Sequence, residues 1–398
     1  MPIEVSLLDA PSPAALPIEI VERKGLGHPD SICDALAEAL SVALSRFYLD
    51  RFGTILHHNV DKALLRGGAA RPRFGGGEVL EPIELYLAGR ATAAVGGVHV
   101  PLDELVLETS RDWLKRHVRH LDPARHVRIH ALLRPTSADL AHLYERRRAV
   151  PLANDTSFGA GYAPLDTLER VVLAVEHALN APATKARHPE IGEDVKVMGV
   201  RTGEMIRLTV ACALVSRHVA DLDDYREKKA GIARLAIAAA CEAGGGEVEA
   251  AVNTADGDTE SSVYLTVTGL SAEAGDDGQV GRGNRPNGLI TPYRPMSLEA
   301  PAGKNPVTHV GKLYNLVASR IAHAVATEVP AATEAYCWLL SRIGDPIDEP
   351  QVADLKLRLE DPDAFEAARP RALEVVQDSL RGVSTLWREI VGGDAALW

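Results

Sequence analysis

Cysteine is scarce in this chain of 398 residues, and no two cysteines form a CxxC pair. The four that occur, Cys33, Cys212, Cys241 and Cys337, lie far apart in apolar runs. This excludes a disulfide framework and a zinc ribbon, and it predicts four small buried hydrophobic side chains. Long apolar runs are also missing, since no window reaches the ~18 apolar residues of a membrane span, and the first residues show no leader pattern. We therefore expect a cytoplasmic protein that contacts no membrane.

Positive charge is in short supply, and arginine carries most of it. The chain has 43 Lys and Arg against 55 Asp and Glu, which gives a formal net charge of −12. The acidic balance argues against wholesale binding of nucleic acid or of an anionic membrane surface. Only 10 of the 43 are lysines, and five of these lie in or beside polar motifs: Lys24, Lys62, Lys196, Lys304 and Lys312. A lysine kept where arginine is the default indicates a site that needs a compact charge.

The spacing of apolar residues predicts four helices and six strands. The first predicted helix begins after Asp30, which we expect to be its N-cap, and the second begins near residue 102. The third begins at Asp166, with Glu169 as its capping-box partner, and the fourth begins after Thr308. The predicted strands are residues 83–87, 127–133, 195–200, 205–210, 248–252 and 263–268. Residues 201–204 form the predicted turn of a hairpin between the third and fourth strands. Because strands and helices mix without strict alternation, we expect an α+β fold and not a doubly wound sheet.

A glycine-rich motif, residues 25–30, precedes the first predicted helix. Its glycines let the backbone approach a ligand, and the free N–H groups at a helix start favour an anion. In this motif His28 can donate to a phosphate oxygen, and Asp30 can bind Mg²⁺, which prefers oxygen ligands. The plainer interpretation is a tight turn with Asp30 as a simple cap. The pattern is neither a Walker loop nor a GxGxxG fingerprint.

A second motif of this kind, residues 302–306, precedes the fourth predicted helix and has Lys304 at its centre. Lysine offers a mobile point charge to phosphate, although an exposed loop lysine is the plainer interpretation. Asp276 and Asp277, near Arg282 and Arg285, suit magnesium and polyphosphate, and the alternative there is an acidic turn with local ion pairs. Together these features predict a site for a nucleotide triphosphate, but the spacing does not identify what attacks the nucleotide.

Further polar clusters occur at residues 57–62, 154–159 and 193–196. The adjacent histidines at 57–58, with nearby aspartates, would allow the transition-metal site of a metallohydrolase. The spacing matches no HExxH-type motif. Lone surface histidines are also common, so the pair by itself is weak support for a metal site.

Five blocks of the chain resemble archaeal-type S-adenosylmethionine synthetase (methionine adenosyltransferase). The first reads ERKGLGHPDSICD at residues 22–34, and the others follow in the family's order at residues 152–165, 192–199, 275–295 and 303–315. The resemblance implies one catalytic unit over residues 1–398, with three similar α+β subdomains around a pseudo-threefold axis and interleaved in sequence. It also implies a homodimer whose active sites lie at the interface and are built from both chains.

The same resemblance implies that ATP and L-methionine are the substrates and that Mg²⁺ is a cofactor. The methionine sulfur attacks the ribose C5′ and displaces the whole triphosphate, which the enzyme then hydrolyses to pyrophosphate and phosphate. A neutral thioether needs no general base, so the site must supply alignment and stabilisation of the leaving group. The K⁺ requirement of the bacterial and eukaryotic branch stays open for this chain.

Similarity to the family also assigns roles to individual residues. His28 is expected to contact the oxygen that leaves C5′, Asp30 to bind Mg²⁺, and Arg282 to aid triphosphate cleavage, while Lys196 and Lys304 clamp the polyphosphate. The other expected contacts of ATP or its polyphosphate are Glu22, Asp194, Asp277, Lys312 and Ser137. The expected contacts of methionine or adenosine are His58, Asp139, Asn154, Asp155, Thr156, Ser157 and Asp276.

The chain departs from the family pattern after its second glycine motif. Where the bacterial and eukaryotic branch has a second lysine and a magnesium-binding aspartate, this chain has Thr308 and a valine. Asp277 or Glu273 is then the expected second magnesium ligand, and Lys312 is the expected replacement for the lysine. The methionine-binding glutamate of that branch is also missing, and the candidates to replace it are His58 and Asp139.

Two functions of other kinds compete with this one. A magnesium-dependent polyphosphate or nucleotide hydrolase would share the phosphate loops but would ignore methionine. A catalytically silent subunit would bind nucleotide and regulate a partner. The presence of the candidate catalytic residues argues against a catalytically silent subunit. These residues are His28, Asp30, Lys196, Lys304 and Arg282.

Overall fold

The structure is a computed structural model that describes residues 3–135, 150–395 and 397. Its strands are β1 (Ile3–Leu7), β2 (Ile18–Lys24), β3 (His58–Arg66), β4 (Ala69–Arg73), β5 (Gly76–Glu81), β6 (Ile83–Ala91), β7 (Ala94–Val95), β8 (Val98–His99), β9 (Val127–Pro135), β10 (Phe158–Ala163), β11 (Ile191–Thr202), β12 (Met205–Val215), β13 (Glu247–Val252), β14 (Leu265–Thr266), β15 (Gly278–Gln279), β16 (Ala332–Leu340) and β17 (Val352–Leu359). Its α-helices are α1 (Pro29–Phe52), α2 (Leu102–His117), α3 (Pro123–His126), α4 (Thr167–Asn180), α5 (Pro182–Arg187), α6 (Leu222–Glu242), α7 (Val310–Glu328), α8 (Phe365–Gly382) and α9 (Trp387–Gly392).

Three sheets, each with its own buried apolar cluster and packed helices, make up most of the described chain. The first sheet has the order β15-β3-β6-β9, the second β13-β12-β11-β2, and the third β1-β17-β16-β10. Helices α1 and α2 pack on the first sheet, α4 and α6 on the second, and α7 and α8 on the third. The predicted α+β class is confirmed. Within the described residues, no helix combines the length and the apolarity that a membrane crossing requires.

The start of α1 differs from the prediction. His28, and not Asp30, is the N-cap, because Pro29 occupies the first helical position and the His28 ring accepts a hydrogen bond from the Asp30 N–H at 3.2 Å. Proline is favoured there since it lacks an N–H that would otherwise need a partner. The helix ends at Gly53, a residue type that commonly terminates helices, and its φ of +68° is a left-handed conformation that glycine adopts without strain.

One face of α1 buries polar side chains instead of apolar ones. They recur every three or four residues, which places them on a single face of the helix. Each is at most 5 % exposed: Asp30, Asp34, Glu38, Ser41 and Ser45. A neighbouring face of the helix carries Ile32, Leu36, Leu40 and Leu44 into the core of the first sheet. The polar face therefore needs hydrogen-bond partners from other parts of the chain.

Most predicted elements are confirmed. The 195–210 hairpin forms with Gly203 at its turn (φ +58°), and Asp166 and Glu169 make the reciprocal bonds of a capping box. The second helix ends at His117, and the predicted strand at 263–268 shortens to Leu265–Thr266.

The prediction that all four cysteines are buried is wrong for Cys241. Cys33, Cys212 and Cys337 are buried in the three sheet cores, whereas Cys241 is exposed. It lies in the last turn of α6, where Ala239 and Ala240 already fill the face that packs on the second sheet. The next residue along a helix is rotated by about 100°, so Cys241 points to solvent.

A buried ionic network joins the second sheet to the third. Arg294 donates to both carboxylate oxygens of Glu169 (2.9 and 3.0 Å) and also to Glu334. Glu19, Asp166 and Glu169 bring carboxylate oxygens within 4.8 Å of one another, which could in principle hold a metal ion. Arginines already neutralise this cluster, since Arg201 also bonds Glu19 at 3.1 Å. The network thus acts as a structural joint between sheets.

Glu19→Gln is expected to remove a pH dependence of stability. Burial, reinforced by Asp166, raises the pKa of Glu19 to about 8, against 4.5 for a free glutamate. Between pH 4.5 and about 8 the folded state therefore holds a proton that the unfolded state has lost, so stability falls over this range by up to ~1.4 kcal/mol per unit and levels off above it. A glutamine amide can donate to Asp166 while its carbonyl accepts from Arg201. Urea unfolding at pH 6, 7, 8 and 9 should slope downward for wild type and stay flatter for Glu19→Gln, and equal slopes would contradict this assignment.

Candidate functional site

The first glycine motif lies between β2 and α1 and packs against β11. The Gly25 N–H donates to the Val195 carbonyl at 2.7 Å, and the Gly27 N–H donates to the Glu193 carbonyl at 3.0 Å. A Cβ at Gly27 would lie only 2.4 Å from the Glu193 backbone, so a larger residue could not take its place. The glycines are required by this close approach of two backbone segments. As a result, the 193–196 cluster is brought beside the motif.

The His28 ring has a defined tautomer. Its Nδ1 accepts the Asp30 N–H, so the proton of a neutral ring lies on Nε2. Burial lowers the pKa of His28 to about 4, opposed by Asp30 and helped by Lys24. The imidazole is therefore neutral at pH 7, and its Nε2–H is available as a hydrogen-bond donor.

Asp30 is held by two groups. Its Oδ2 accepts from Lys24 Nζ at 2.9 Å, and its Oδ1 accepts from the Gln279 N–H at 2.9 Å. The exposed carboxylate of Asp276 also acts on His28. Because Mg²⁺ prefers oxygen ligands, Asp30 and Asp276 are the carboxylates of this group that could hold it. Asp277 is partly engaged, since it accepts the Gly67 N–H at 2.8 Å.

Residues 278–285, here called the Arg282 loop, are fastened to β2 and α1. Lys24 Nζ donates to the Arg282 carbonyl at 2.7 Å, and Asn284 exchanges two hydrogen bonds (2.9 and 2.8 Å) with the Lys24 backbone. Arg285 donates to the carbonyls of Gly281 and Gly283. The Arg282 side chain is exposed and bonds no other described residue. The loop therefore presents one free guanidinium on a rigid base.

Asp194 and Lys196 lie on the neighbouring strand β11. Asp194 is buried and accepts from the backbone N–H of Ser271 (3.0 Å) and from its hydroxyl, which also contacts Asp276 at 3.1 Å. Burial raises the pKa of Asp194 to about 6. Lys196 is partly exposed, 3.9 Å from Glu22, on the outward face of the second sheet. Ser271 was not predicted, because nothing in its local sequence marks it.

Lys304 forms the centre of a second group. Its ammonium is 3 % exposed and bonds Asp61 Oδ2 at 2.7 Å and Glu299 Oε1 at 2.8 Å. Burial would lower the pKa of Lys304, but the two carboxylates outweigh burial and raise it. Asp155 lies close enough to act on the same charges, and burial raises its pKa. His309, the N-cap of α7, is neutral at pH 7, because burial and Lys304 lower its pKa to about 3.

Lys312 is not placed as predicted. Its ammonium is fully buried and donates to both oxygens of Glu38, at 2.7 and 2.6 Å. Glu38 Oε2 also accepts the Gly303 N–H at 2.9 Å, so this ion pair supports the Lys304 backbone from behind. Lys312 thus buttresses the loop and does not replace the missing ligand-facing lysine.

Two more predictions need correction on grounds of burial. His58 is fully buried, with its ring between Ser41 and Asn305, so it does not offer a nitrogen to methionine or to a metal. Glu273 is fully buried and accepts from the backbone and hydroxyl of Thr268 and from the Val267 N–H. Glu273 is therefore unsuited to be the second magnesium ligand.

The 154–157 segment packs beside the Lys304 group. The Asn154 N–H donates to the Thr308 carbonyl, and its buried Oδ1 has no hydrogen-bond partner among the described residues. Thr156 accepts the Ile343 N–H at 3.0 Å, and Ser157 is buried against Ser341. Ser137 and Asp139 lie outside the described residues.

The polar residues around the two glycine motifs, both predicted and unpredicted, thus form two groups. The first contains Lys24, His28, Asp30, Asp194, Lys196, Asp276 and Arg282. The second contains Asp61, Asp155, Glu299, Lys304 and His309. Both groups contact the polar face of α1, the first through Asp30 and the second through Glu38, which supports the Lys304 loop. These two residues are eight positions apart in the helix, which corresponds to ~12 Å along its axis. No hydrogen bond or ion pair between described side chains joins one group directly to the other.

Comparison with known proteins gives the chain its family. The family model described as S-adenosylmethionine synthetase (AdoMet synthetase) matches residues 1–394. The chain belongs to the S-adenosylmethionine synthetase family. It is 54 % identical to a probable S-adenosylmethionine synthase of Aquifex aeolicus over 95 % of both chains. It is 50 % identical to an S-adenosylmethionine synthase of Aeropyrum pernix over 96 % of both chains.

These relatives confirm the predicted membership in the archaeal-type branch of the S-adenosylmethionine synthetase family, and with it the predicted enzyme class. A solved structure described as an unusual S-adenosylmethionine synthetase from Campylobacter jejuni aligns with 94 % of this chain and 93 % of its own. Its TM-score is 0.57 at 14 % identity, which supports the predicted S-adenosylmethionine synthetase fold.

Proposed function

We propose that this chain makes S-adenosylmethionine from ATP, L-methionine and water and releases pyrophosphate and phosphate. The observation that carries the proposal is the neutral His28, whose Nδ1 faces Asp30 and leaves Nε2–H as the donor, within the electrostatic reach of Lys196. A neutral donor at pH 7 can stabilise the charge on the leaving oxygen by a hydrogen bond, and the attack of the thioether sulfur requires no proton transfer. The membership of the chain in the S-adenosylmethionine synthetase family supports the same reaction.

In the first step, the methionine sulfur attacks C5′ of the ribose and the C5′–O bond breaks. The bonding pair of that bond leaves with the triphosphate, where His28 Nε2–H is proposed to meet the developing charge. Lys196 and Lys304 are proposed to hold the polyphosphate, because ammonium groups offer compact charges to phosphate oxygens. Asp194, Asp155 and Asn154 are proposed to orient adenosine and methionine through their carboxylate and amide oxygens.

Mg²⁺ is the proposed cofactor, with Asp30 and Asp276 as its protein ligands and Asp277 as the remaining candidate. When bound, Mg²⁺ neutralises the polyphosphate charge that builds up in the first step. Its arrival would require Lys24 to move from Asp30, which would leave the Lys24 ammonium for phosphate as well. A K⁺ requirement stays a prediction, tested by running the assay with and without potassium.

A homodimer is proposed because each chain holds its two site groups apart. Residues Ile18 and Ile20 project from β2 on the same side as Glu22, since side chains alternate along a strand. Ile18 is 48 % exposed, and Leu64 and Leu132 on the outward face of the first sheet are similarly open. A second copy covering these faces would exclude water from apolar area and could bring its Lys304 group opposite the His28 group.

We further propose that residues 1–398 act as one catalytic unit of three subdomains, and that the enzyme works in the cytoplasm, where ATP is available.

The proposed function is tested by incubating the protein with ATP, L-methionine and Mg²⁺. S-adenosylmethionine, pyrophosphate and phosphate should appear in equal amounts. Phosphate without S-adenosylmethionine would indicate the hydrolase, and ATP binding without any turnover would indicate the silent subunit. Size-exclusion chromatography with light scattering tests the homodimer in the same preparation.

Arg282→Leu is expected to slow triphosphate cleavage by about tenfold or more while S-adenosylmethionine formation changes much less. The reason is that a free guanidinium stabilises charge on a transferring phosphoryl group, whereas the sulfur attack occurs at the far end of the triphosphate. Rapid-quench measurement of triphosphate and S-adenosylmethionine in one turnover checks this. Arg234→Leu, an exposed arginine on α6, is the matched control. Equal slowing of the two steps would contradict the division of roles.

A further inference from the structure

Asp34 is a buried carboxylate that none of the proposed steps uses. It lies one turn after Asp30 on the polar face of α1 and is 3 % exposed. Its Oδ1 accepts the Gly281 N–H at 2.8 Å. That N–H immediately precedes Arg282, so the carboxylate holds the backbone next to the free guanidinium.

The Arg282 loop closes around this carboxylate from both sides. A Cβ at Gly283 would lie 2.3 Å from Asp34 Oδ2, so the backbone after Arg282 also touches Asp34. Asp34 Oδ2 is buried and has no hydrogen-bond partner among the described residues. The charged groups that act on it are Arg285, Asp30 and Lys24. The two glycines that flank Arg282 therefore both contact the Asp34 carboxylate.

Keeping an ionisable group there is costly for the fold. Burial raises the pKa of Asp34 to about 7, which reflects the penalty for a carboxylate out of water. An apolar residue would avoid that penalty, because a buried charge is replaced by an apolar residue of similar volume at little cost or with a gain. Among the described residues, the hydrogen bond that an apolar residue would lose is the one from the Gly281 N–H.

We infer that Asp34 is a positioning residue that fixes Arg282 for the cleavage of triphosphate. The inference rests on the proposed function and deepens its second step. Without Asp34 the Gly281 N–H loses its acceptor and the loop relaxes around Arg282. A shift of about 1 Å in a group that acts on the reacting atoms can cost up to ~10²-fold in rate. Sulfur attack should persist, since Asp30, Lys24 and His28 keep their own contacts.

The test compares Asp34→Ala with Asp34→Asn in a rapid-quench single turnover of the full-length protein with ATP, L-methionine and Mg²⁺. We expect Asp34→Ala to slow triphosphate cleavage about tenfold or more, and S-adenosylmethionine formation less than about threefold, because only the loop loses a contact. Asp34→Asn keeps an oxygen acceptor at the same place and should restore most of the cleavage rate. Ser45→Ala, a buried polar residue farther along the same face of α1, is the matched control and should leave the ratio of the two steps unchanged.

Other outcomes would overturn the inference. Equal slowing of both steps in Asp34→Ala, or an Asp34→Asn variant as impaired as Asp34→Ala, would show only a general structural role. If Asp34→Ala fails to fold, Asp34→Leu removes the acceptor while filling the volume, and normal cleavage by it would refute the positioning role. If wild type forms no S-adenosylmethionine, the proposed function fails separately. Hydrolysis of added tripolyphosphate by wild type and by Asp34→Ala would then still decide the role of Asp34, since equal rates would refute it.

Discussion

Lys304→Ala is expected to lower S-adenosylmethionine formation by about 10²-fold or more, the usual effect of removing one preorganised donor to a developing negative charge. Lys304 is 3 % exposed and aligned by Asp61 and Glu299, so its charge is already oriented before substrate arrives. A charge aligned in advance needs no reorganisation during the reaction and acts strongly where water is excluded. Lys312 cannot replace it, because Glu38 holds the Lys312 ammonium.

The fold of Lys304→Ala should persist for two reasons. Asp61 keeps an ion pair with Lys62, and the backbone at this point remains bonded through the Gly303 carbonyl to the Val60 N–H at 2.8 Å. Circular dichroism melting tests this, and steady-state S-adenosylmethionine assays measure the loss. Lys356→Ala serves as the control, since Lys356 is a partly exposed lysine on β17. Wild-type turnover by a folded Lys304→Ala protein would remove this lysine from the mechanism.

Glu38→Ala is expected to destabilise the protein by about 3–5 kcal/mol, the range found when one partner of a buried ion pair is removed. The substitution would leave the Lys312 ammonium wholly buried without a counter-charge, since burial already lowers the pKa of Lys312. It would also leave the Gly303 N–H without its acceptor. Urea unfolding followed by circular dichroism measures the loss.

A double variant shows whether the unpaired charge causes that loss. Glu38→Leu combined with Lys312→Met removes both charges and fills similar volumes, so most of the stability should return. Arg371 and Glu374 form an exposed i,i+3 pair, and Glu374→Ala should leave the stability almost unchanged, because solvent screens exposed ion pairs. A Glu38→Ala variant no weaker than Glu374→Ala would contradict the account of the buried pair.

Local sequence patterns were sufficient for features that depend on neighbouring residues. The Asp166–Glu169 capping box, the turn at Gly203 and the end of α1 at Gly53 each follow from chemistry within a few residues. The family blocks led to His28 and Lys304 because the glycines around them are required by close backbone packing and so persist in the motif.

Contacts between distant segments were beyond the reach of those patterns. Lys312 follows a glycine motif like a phosphate lysine, yet its partner Glu38 lies 274 residues away. Asp34 meets Gly281 across 247 residues, so nothing in the first helix marks it as part of the Arg282 loop. From its local sequence His58 was predicted to be accessible to a ligand, but in the fold its ring is enclosed by hydrogen bonds with Ser41 and Asn305.

By itself, the sequence determined the α+β class, the family and the chemical inventory of the site, since helix caps, turns and glycine motifs act over short distances. The tertiary structure decided which charged side chains are paired inside the protein and which remain unpaired. On the polar face of α1, Glu38 pairs with Lys312 and also accepts the Gly303 N–H, and Asp34 accepts the Gly281 N–H. These contacts hold the two loops that carry Lys304 and Arg282. The reason is physical: the carboxylate that pairs with a buried ammonium can lie 274 residues away, as Glu38 does from Lys312, so only folding brings the two groups together.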